Sequence, residues 1–360
     1  MQAPWSDARM FNLRGVDIMA IWLIRAGSNG EYEQKFLEEN RVYLTFINLR
    51  VNLDILPDRD GLYRVMSQTY PGVKPEKLVN YVKQVWSFAH DIKIGDLVLM
   101  PLTSQPAVTI GEVTGNYRFE HAASDPFYHW RSVTCVAEAI PRSYFGMDLL
   151  YAFASSMTIC RVQRNNAEDR LAAMRADEWK PEPVDAAISQ IDSSSDETTA
   201  GIDLEAVARD QLAQLIAARF QGQGLVRLVE AILKANGYGT CQGPDAAADG
   251  VDFLAAAGKL GFAGPRLCVA VKSEAAPVDW PSVDKLLGAA AKFGAEAGLF
   301  VSWSGFKSEV QKELAASFFR LRLWSQKELL DELFANYDRL DDDVKALLPL
   351  RRIWTAAAQE

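Results

Sequence analysis

Two short stretches decide the fold of this chain: Gly250-Val-Asp252 and the apolar run Leu267-Cys-Val-Ala-Val-Lys272-Ser273. Asp252 belongs to a predicted strand at 250–256, and Lys272 ends a second predicted strand at 266–272. The second strand is apolar almost throughout, which indicates burial on both of its faces. Since neighbouring strands present side chains at adjacent ends, we expect the Asp252 carboxylate and the Lys272 amine to project into the same region.

An acid and a lysine in this arrangement suit the hydrolysis of a phosphodiester. The reaction needs a hard divalent cation, normally Mg²⁺, held by one or two carboxylates and several waters. Such an ion lowers the pKa of a bound water, and a neighbouring lysine positions that water or stabilises developing charge. Glu230, on the preceding predicted helix, is an additional acid directed toward the same end of the sheet. In the alternative interpretation Asp252 caps a turn and Lys272 is solvated, and spacing alone leaves both open.

The residues around this pair predict an α/β unit. Helices and strands alternate from 203 to 340, which is typical of a mixed sheet with helices on both sides. Asp203 is a predicted N-cap of the first helix, and Gly237 a predicted C-terminal stop of the second. The predicted helices after the first are 225–236, 283–293, 306–318 and 327–340, and the remaining predicted strands are 297–303 and 319–324.

The same region resembles the catalytic domain of Mrr-like restriction endonucleases. The resemblance begins with Phe220-Gln-Gly-Gln-Gly-Leu-Val-Arg-Leu-Val-Glu-Ala-Ile-Leu-Lys-Ala-Asn-Gly-Tyr238, which is similar to that domain's opening helix. Gly243-Pro-Asp, Asp249-Gly-Val-Asp252, the Lys272 strand and Gly298-Leu-Phe-Val-Ser-Trp-Ser-Gly-Phe306 follow in the expected order. The similarity covers about 203–340. It implies that Asp252 binds Mg²⁺, that Lys272 is the catalytic lysine and that Glu230 is the helix acid.

One position departs from the family pattern. The Gln or Glu that the family carries two residues before the lysine falls on Ala270, which neither ligates a metal nor orients a water. Ala270 is either natural divergence toward a weak or inactive nuclease, or a deliberate substitution made to trap substrate or avoid toxicity. The otherwise intact motif favours the second explanation. In both cases we expect the activity of this sequence to be reduced or lost.

The N-terminal part has a different composition. Residues 19–160 are rich in β-branched and aromatic residues, with predicted strands at 19–27, 94–101, 108–117 and 129–136. The order Ile94-Gly-Asp-Leu-Val, Ile110-Gly-Glu-Val-Thr-Gly-Asn-Tyr117 and His129-Trp-Arg-Ser-Val133 resembles PUA-like domains of the EVE and YTH kind. That resemblance implies a small β-barrel with an aromatic pocket for a flipped, modified base.

Candidate base-binding residues follow from that resemblance. The aromatic candidates are Trp22, Trp86, Phe88, Tyr117 and Trp130, and the polar candidates are Arg25, Ser28 and Asn29. Trp22 and Phe88 lie among apolar residues and are more often core than cage, whereas Trp86 and Tyr117 are closer to loops. His129 has the alternative of a hydrogen bond within the barrel.

Length and composition agree with a two-part protein. A chain of 360 residues exceeds one typical domain. The predicted divisions are an N-terminal extension (1–18), a PUA-like domain (19–164), a polar linker (165–202), a nuclease domain (203–345) and a tail (346–360). Met19 is an alternative start. The fold class is therefore α+β / α/β.

Charge and cysteine content bear on the partners and the cellular compartment of the protein. The net charge of −9 is weak evidence against nonspecific wrapping of nucleic acid. The four cysteines lack CxxC spacing and are predicted to be buried thiols rather than disulfide or zinc ligands. The chain has no apolar run of membrane-spanning length and no leader pattern, so a cytoplasmic protein without a membrane partner is expected.

Together these observations predict a type IV-like, modification-dependent DNA endonuclease. The resemblance implies a role in defence against foreign or phage DNA. Cutting both strands requires two active sites, so a homodimer or higher homo-oligomer is expected. Two alternatives remain: a non-cleaving sensor of modified DNA derived from a nuclease, which Ala270 favours, and an RNA nuclease built on the same Asp252 and Lys272 core.

Overall fold

The computed structural model describes residues 19–182, 203–242, 250–258, 261–274 and 276–353. The predicted extension at 1–18, residues 183–202 of the predicted linker, residues 243–249 and residues 354–360 of the tail lie outside the described residues. Each half of the chain forms its own β-sheet. We call residues 19–182 the N-terminal unit and residues 203–353 the C-terminal unit.

The N-terminal unit is built on a curled half-barrel sheet of seven strands. Its strands are β1 (Ile21–Ile24), β2 (Arg41–Tyr43), β3 (Leu97–Pro101), β4 (Ala107–Val113), β5 (Arg118–Phe119), β6 (His129–Pro141) and β7 (Ile159–Arg161). The order is β2-β6-β4-β3-β1-β7, with β5 also paired to β6. Only β1 and β3 run parallel among these described strands. The path ends at β2 and β7, which do not pair within the part of the chain described, so these strands form a half-barrel and the predicted small β-barrel is not confirmed.

Helices cover this sheet. The sequence analysis leaves most of these helices unpredicted. They are α1 (Glu33–Glu39), α2 (Arg59–Thr69), α3 (Pro75–Trp86), α4 (Met147–Phe153) and α5 (Ala167–Ala176), and a π-helix at Ser87–Asp91 continues α3. α2 and α3 bury Leu62, Met66, Leu78, Val82 and Val85 against the sheet. Their apolar residues recur with a 3.6-residue period, which is the sequence pattern that predicts a helix.

Helix α5 lies inside the region assigned to a linker by its polar composition. Its residues Leu171 and Met174 are buried in the second N-terminal core cluster with Phe145 and Phe153. Arg170 binds the carboxylates of Asp148 and Glu182. Residues 167–182 therefore pack on the N-terminal unit, because a few apolar contacts and a buried ion-pair network compensate for the polar composition.

The C-terminal unit holds a mixed five-stranded sheet. Its strands are β8 (Tyr238–Cys241), β9 (Phe253–Ala257), β10 (Ala263–Lys272), β11 (Ala297–Ser302) and β12 (Leu321–Trp324), in the order β12-β11-β10-β9-β8. β10, β11 and β12 run parallel, whereas β9 is antiparallel to both β8 and β10. The α/β class and the central mixed sheet predicted for this unit are confirmed.

Helices pack on both faces of this sheet, as predicted. They are α6 (Leu204–Arg219), α7 (Gln223–Ala235), α8 (Trp280–Lys292), α9 (Ser308–Leu314), α10 (Gln326–Asn336) and α11 (Asp342–Leu347). Helices α6, α7 and α10 pack with Val269 and Val271 of β10, and we call this side the α7 face. Helix α8 packs with Cys268 and Ala270 of β10, and we call this side the α8 face.

Local signals at the helix ends agree with the sequence. The Asp203 side chain accepts a hydrogen bond from the Ala206 amide at 2.9 Å and so caps α6. Gly237 has φ of +86°, and its amide bonds to the Lys234 carbonyl, which ends α7 as predicted. The left-handed φ explains why glycine is favoured at this position.

The cysteine prediction is partly wrong. All four are free thiols, and Cys268 is buried in β10, but Cys135 and Cys241 are exposed. Among the described residues no helix is long and apolar enough to cross a membrane.

Candidate functional site

Asp252 stands directly before β9 and is bound to the backbone of β10. Its amide donates to the Val269 carbonyl at 2.8 Å, and its Oδ2 accepts the Val271 amide at 2.7 Å. Within the described residues Oδ1 has no hydrogen-bond donor. The carboxylate is therefore held in place by one oxygen and presents the other.

Asp252 lies beside the end of β10. The antiparallel β9–β10 ladder ends where Phe253 pairs with Val269, and Asp252 precedes it with its side chain bound to the Val271 amide. Because side chains alternate along a strand, Ala270 and Lys272 project to the same side of β10. The Lys272 ammonium acts to lower the pKa of Asp252, so these two charged groups lie close together at the strand end.

Lys272 is available for chemistry at the end of β10. It pairs with Ser302 of β11, and its carbonyl accepts the Trp303 amide at 2.9 Å. Its side chain is about half exposed, and its Nζ lies 3.8 Å from Oε1 of Glu274, a more exposed residue. A weak, solvent-screened pair of this kind holds the amine loosely. Glu274 is a carboxylate beside the lysine that the sequence analysis does not single out.

Burial raises the pKa of Asp252 above its usual range, although the Val271 amide and the nearby Lys272 ammonium both act to lower it. The charged carboxylate is therefore destabilised when no cation is near. A divalent cation would favour the ionised form and recover that cost. A poised carboxylate with a free oxygen fits the predicted role of Asp252 better than a turn cap does.

Ala270 removes the second acid from this arrangement. It is 1% exposed and packs with Val251, Cys268 and Phe300 on the α8 face. No group of three or more His, Cys, Asp or Glu residues able to hold a metal occurs among the described residues. Mg²⁺ tolerates a single protein carboxylate when waters and substrate phosphates complete its shell. The residues present therefore fit Mg²⁺ only with ligands from solvent and substrate.

Glu230 is placed apart from this group. Its carboxylate accepts the Thr240 hydroxyl at 2.6 Å and pairs with Lys234 at 2.9 Å. Thr240 pairs with Ala255, which lies on the α7 face. Burial acts to raise the pKa of Glu230, but the Thr240 and Lys234 contacts outweigh it and hold the pKa below its usual range. Glu230 thus joins α7 to β8 through Thr240.

The predicted base-binding aromatics divide into two groups, of which the first is buried. Trp22 is 4% exposed, and its Nε1 donates to Asp96 Oδ2 at 2.9 Å. Phe88 is fully buried within the π-helix. Tyr117 is 6% exposed, and burial raises its pKa. These three side chains pack in the main N-terminal core cluster, so the core interpretation describes their positions.

The second group, Trp86 and Trp130, remains partly exposed. The Trp86 ring lies 4.0 Å from the His90 ring, and the Arg41 guanidinium lies 3.9 Å from the centre of the Trp130 ring. The Trp130 Nε1 is buried and lacks a hydrogen-bond partner among the described residues. A buried donor without an acceptor is costly and is a reason to look for a function.

The polar candidates also differ in availability. The Arg25 guanidinium donates twice to the Ser155 carbonyl, and burial lowers its pKa. Ser28 and Asn29 are exposed, and their amides donate to the Glu31 carboxylate at 3.3 and 2.8 Å. Ser28 and Asn29 therefore have side chains free to contact a ligand, whereas Arg25 is committed to the fold.

His129 lies at the centre of a buried chain of hydrogen bonds. Its Nδ1 lies 2.7 Å from the Tyr117 hydroxyl and its Nε2 lies 2.7 Å from the Leu49 carbonyl. The carbonyl requires Nε2 to carry the proton, so Nδ1 accepts from the hydroxyl. Burial lowers the pKa of His129 to about 4. The hydrogen-bonding alternative for His129 describes what the structure contains.

The depressed pKa of His129 predicts acid sensitivity of the N-terminal unit. The folded state disfavours the charged ring. The stability that the neutral His129 ring contributes is therefore fully present above about pH 6.5 and is lost as the pH falls toward 4. The free energy of unfolding, measured with urea, should fall by roughly 2 kcal/mol between pH 7.5 and pH 5 because of His129. His129→Gln, which stays neutral, should be less stable at pH 7.5 and show a correspondingly smaller loss. An identical pH dependence in both proteins would exclude His129 as the cause.

Comparison with known proteins identifies the class of the C-terminal unit. Residues 217–333 match the Mrr_cat family model, described as a restriction endonuclease. Residues 22–161 match a model described as a domain of unknown function, DUF8426. No curated protein matches the chain. The C-terminal unit thus contains a restriction-endonuclease domain, and the Asp252 and Lys272 strands lie within it.

Solved structures of restriction enzymes are similar only at a low level. The DNA modification-dependent restriction endonuclease AspBHI is 13% identical, with 77% of this chain and 74% of that chain covered and a TM-score of 0.32. The MspJI restriction endonuclease in complex with a 27-mer oligonucleotide is 12% identical, with 78% and 70% covered and a TM-score of 0.26. These values are too low to indicate a shared activity, and the class rests on the family match.

Proposed function

We propose that this protein is a modification-dependent DNA endonuclease whose N-terminal unit binds a modified base and whose C-terminal unit hydrolyses a nearby phosphodiester. The observation that supports the proposal is the hydrogen bond from the Val271 amide to the Asp252 carboxylate, which holds this acid next to Lys272 within the restriction-endonuclease match. A type IV-like defence against foreign or phage DNA is the corresponding biological role. Two copies would supply one active site for each DNA strand.

The proposed chemistry assigns a role to each residue. Asp252 would hold Mg²⁺ through its free oxygen while the Val271 amide fixes the other oxygen. Mg²⁺, when bound, lowers the pKa of a water and screens the phosphate charge. Lys272, half exposed at the strand end, orients that water by donating a hydrogen bond and stabilises charge on the phosphate. Ala270 offers no oxygen, so we expect the chain with Ala270 to cut weakly.

The N-terminal half of the proposal is a PUA-like, EVE- or YTH-type base pocket. Its support is the partly exposed pair Trp86 and Trp130 and the exposed Ser28 and Asn29. A flipped base stacks on an exposed aromatic ring and is distinguished by polar groups at its edge. The Trp130 ring already stacks with the Arg41 guanidinium, which shows that its face accepts a flat partner.

A second candidate function is a sensor that binds modified DNA without cutting it. The observation that favours it is the close packing of Ala270, which supplies no carboxylate at the position where the family pattern has Gln or Glu. Both functions require binding of modified DNA, and only the first requires Mg²⁺-dependent cleavage.

Binding experiments test the base pocket. We expect tighter binding to duplexes carrying 5-methylcytosine or hydroxymethylcytosine than to the unmodified duplex at the same salt concentration. Trp130→Ala or Trp86→Ala should weaken that preference by about 5- to 100-fold, since one stacked base contributes about 1–3 kcal/mol. Trp130→Phe, which keeps an aromatic face, should retain most of it. Equal affinities of the wild type for modified and plain DNA would contradict the base-binding assignment.

A further inference from the structure

Helix α6 belongs physically to both units. Its residues Leu212 and Ile216, and Phe220 just beyond it, are buried in the core on the α7 face. Asp210, on another side of the helix, is 8% exposed and directed at the N-terminal unit. Asp210 lies between the segments that match the two family models. The helix therefore connects the two matched domains through its side chains as well as through the chain.

Arg142 and Asp210 form the central contact between the units. Arg142 follows β6, and its Nε and Nη2 donate to the two oxygens of Asp210 at 2.7 and 2.5 Å. The side chains are 16% and 10% exposed. A two-pronged arginine–carboxylate pair fixes orientation as well as distance. Low exposure means that loss of one partner leaves the other charged and poorly solvated.

Backbone contacts hold the neighbouring chain to the N-terminal unit. The Asp203 amide donates to the Ala154 carbonyl, just after α4, at 2.9 Å. The Glu182 amide donates to the Tyr144 carbonyl at 2.9 Å, just before α4. Both residues that flank segment 183–202 are thus attached near the two ends of one short helix. The start of α6 is held by the N-terminal unit and not by the covalent chain alone.

The units approach each other at a second place. Gly305, after β11, has φ of +80°, and a Cβ atom there would lie 3.3 Å from the Cβ of Gln105. A cavity of about 440 Å³ lies between the two contacts, with Asp210 and Gln105 in its wall. Ser273 and Trp303, which adjoin the end of the Lys272 strand, also line it. Two separated contacts restrain rotation, whereas a single contact would act as a hinge.

We propose that the Arg142–Asp210 pair is an interdomain clamp that positions the nuclease sheet relative to the base-binding unit and thereby sets the distance between the modified base and the cut. The second half of this statement rests on the proposed function. Arg142 and Asp210 are positioning residues, because they act through the placement of α6 and touch neither substrate nor metal. With the clamp closed, one distance is accessible. With it open, the sheet pivots about the Gly305 contact and several distances become accessible.

Hydrogen exchange tests the clamp independently of any activity. In Arg142→Ala we expect the Asp203 and Ala206 amides to exchange at least about tenfold faster than in the wild type, while amides of β3 and β11 keep their protection. Arg161→Ala, which removes the more exposed Arg161–Glu168 pair inside the N-terminal unit, is the matched control and should leave α6 unchanged. Exchanging the charges, with Arg142→Asp and Asp210→Arg together, should restore much of the protection. Unchanged exchange at α6, or equal acceleration in all elements, would overturn the clamp.

The cleavage pattern tests the distance. On a duplex with one modified cytosine, protein with an intact clamp should cut at a single offset from that base, and Arg142→Ala should spread the cuts over several positions. The charge-exchanged protein should return to a single offset, which a general loss of stability would not produce. Ala270→Glu is introduced into every protein compared so that cutting is measurable. A single offset in Arg142→Ala would show that the clamp does not set the distance between the modified base and the cut. No cutting by any of these proteins would contradict the proposed function, and hydrogen exchange alone would then decide whether the clamp exists.

Discussion

Ala270→Glu is expected to cut DNA in the presence of Mg²⁺ at least about 100-fold faster than the wild-type chain, since a correctly placed second acid is worth about that much. The new carboxylate would stand on β10 next to Val271, whose amide holds Asp252, so two carboxylates would be available to one ion. Ala270→Gln should give a smaller gain. The measurement is Mg²⁺-dependent cleavage of plain and modified duplexes at matched protein concentration.

The same substitution has a stability signature. Ala270 is 1% exposed in a packed cluster, so the larger polar side chain should cost about 1–3 kcal/mol without metal. A second carboxylate would also repel the charge of Asp252, whose pKa burial already raises. Mg²⁺ should therefore raise the Tm of Ala270→Glu and leave that of Ala270→Val, which changes volume without adding a ligand, nearly unchanged.

Lys272→Ala provides the converse test in the Ala270→Glu protein. Loss of the amine should lower the cleavage rate by about 100- to 10,000-fold with little change in Tm. Lys327→Ala, which removes an exposed lysine of α10 on the other side of the sheet, should retain activity. If neither Ala270→Glu nor Ala270→Gln cuts any substrate while both stay folded, the non-cleaving sensor is the better assignment.

Arg131→Ala is expected to destabilise the N-terminal unit by about 3–5 kcal/mol. Arg131 is 3% exposed in β6, and its guanidinium donates to the carbonyls of Phe88 and Ala89 at 2.8 Å each and of Gly115 at 3.3 Å. Its removal leaves buried carbonyls in the π-helix without donors. Urea unfolding should show the loss directly.

Two substitutions calibrate this result. Arg131→Lys keeps a charge but lacks the planar set of donors, so it should recover only part of the stability. Arg118→Ala, at an exposed arginine of β5, should change stability by less than about 0.5 kcal/mol. A loss of under about 1 kcal/mol in Arg131→Ala would mean that the π-helix does not depend on this residue. Because the π-helix follows Trp86, base binding should weaken together with stability.

The sequence patterns are most accurate where one residue type serves one structural purpose. The apolar runs of β10 and β11 are buried on both faces, so hydrophobicity alone locates these strands. Gly237 and Asp203 mark helix ends because the backbone there requires a left-handed φ or a side-chain acceptor. Helix α5 escapes prediction because its stability comes from distant partners such as Asp148.

Aromatic residues show the limit of such patterns. Trp22 and Trp130 are equivalent in a linear pattern, yet Trp22 is buried against Asp96, 74 positions away, and Trp130 is partly exposed beneath Arg41. The sequence also assigned Glu230 to the same end of the sheet as Asp252. In the structure Glu230 contacts Thr240 of β8 and Lys234 of its own helix, and its role in catalysis stays a prediction.

By itself, the sequence determined that the C-terminal unit is an α/β sheet carrying an acid and a lysine on neighbouring strands, with alanine where a second acid is expected. Periodicity and residue chemistry are local properties, so they can be recognised from the sequence alone. Only the tertiary structure decided that the Val271 amide holds the Asp252 carboxylate, that Glu230 contacts Thr240, and that Arg142 and Asp210 tie the two units together. Each of these facts depends on pairing between residues distant in the chain, which hydrogen-bond register and packing select and which no local pattern encodes.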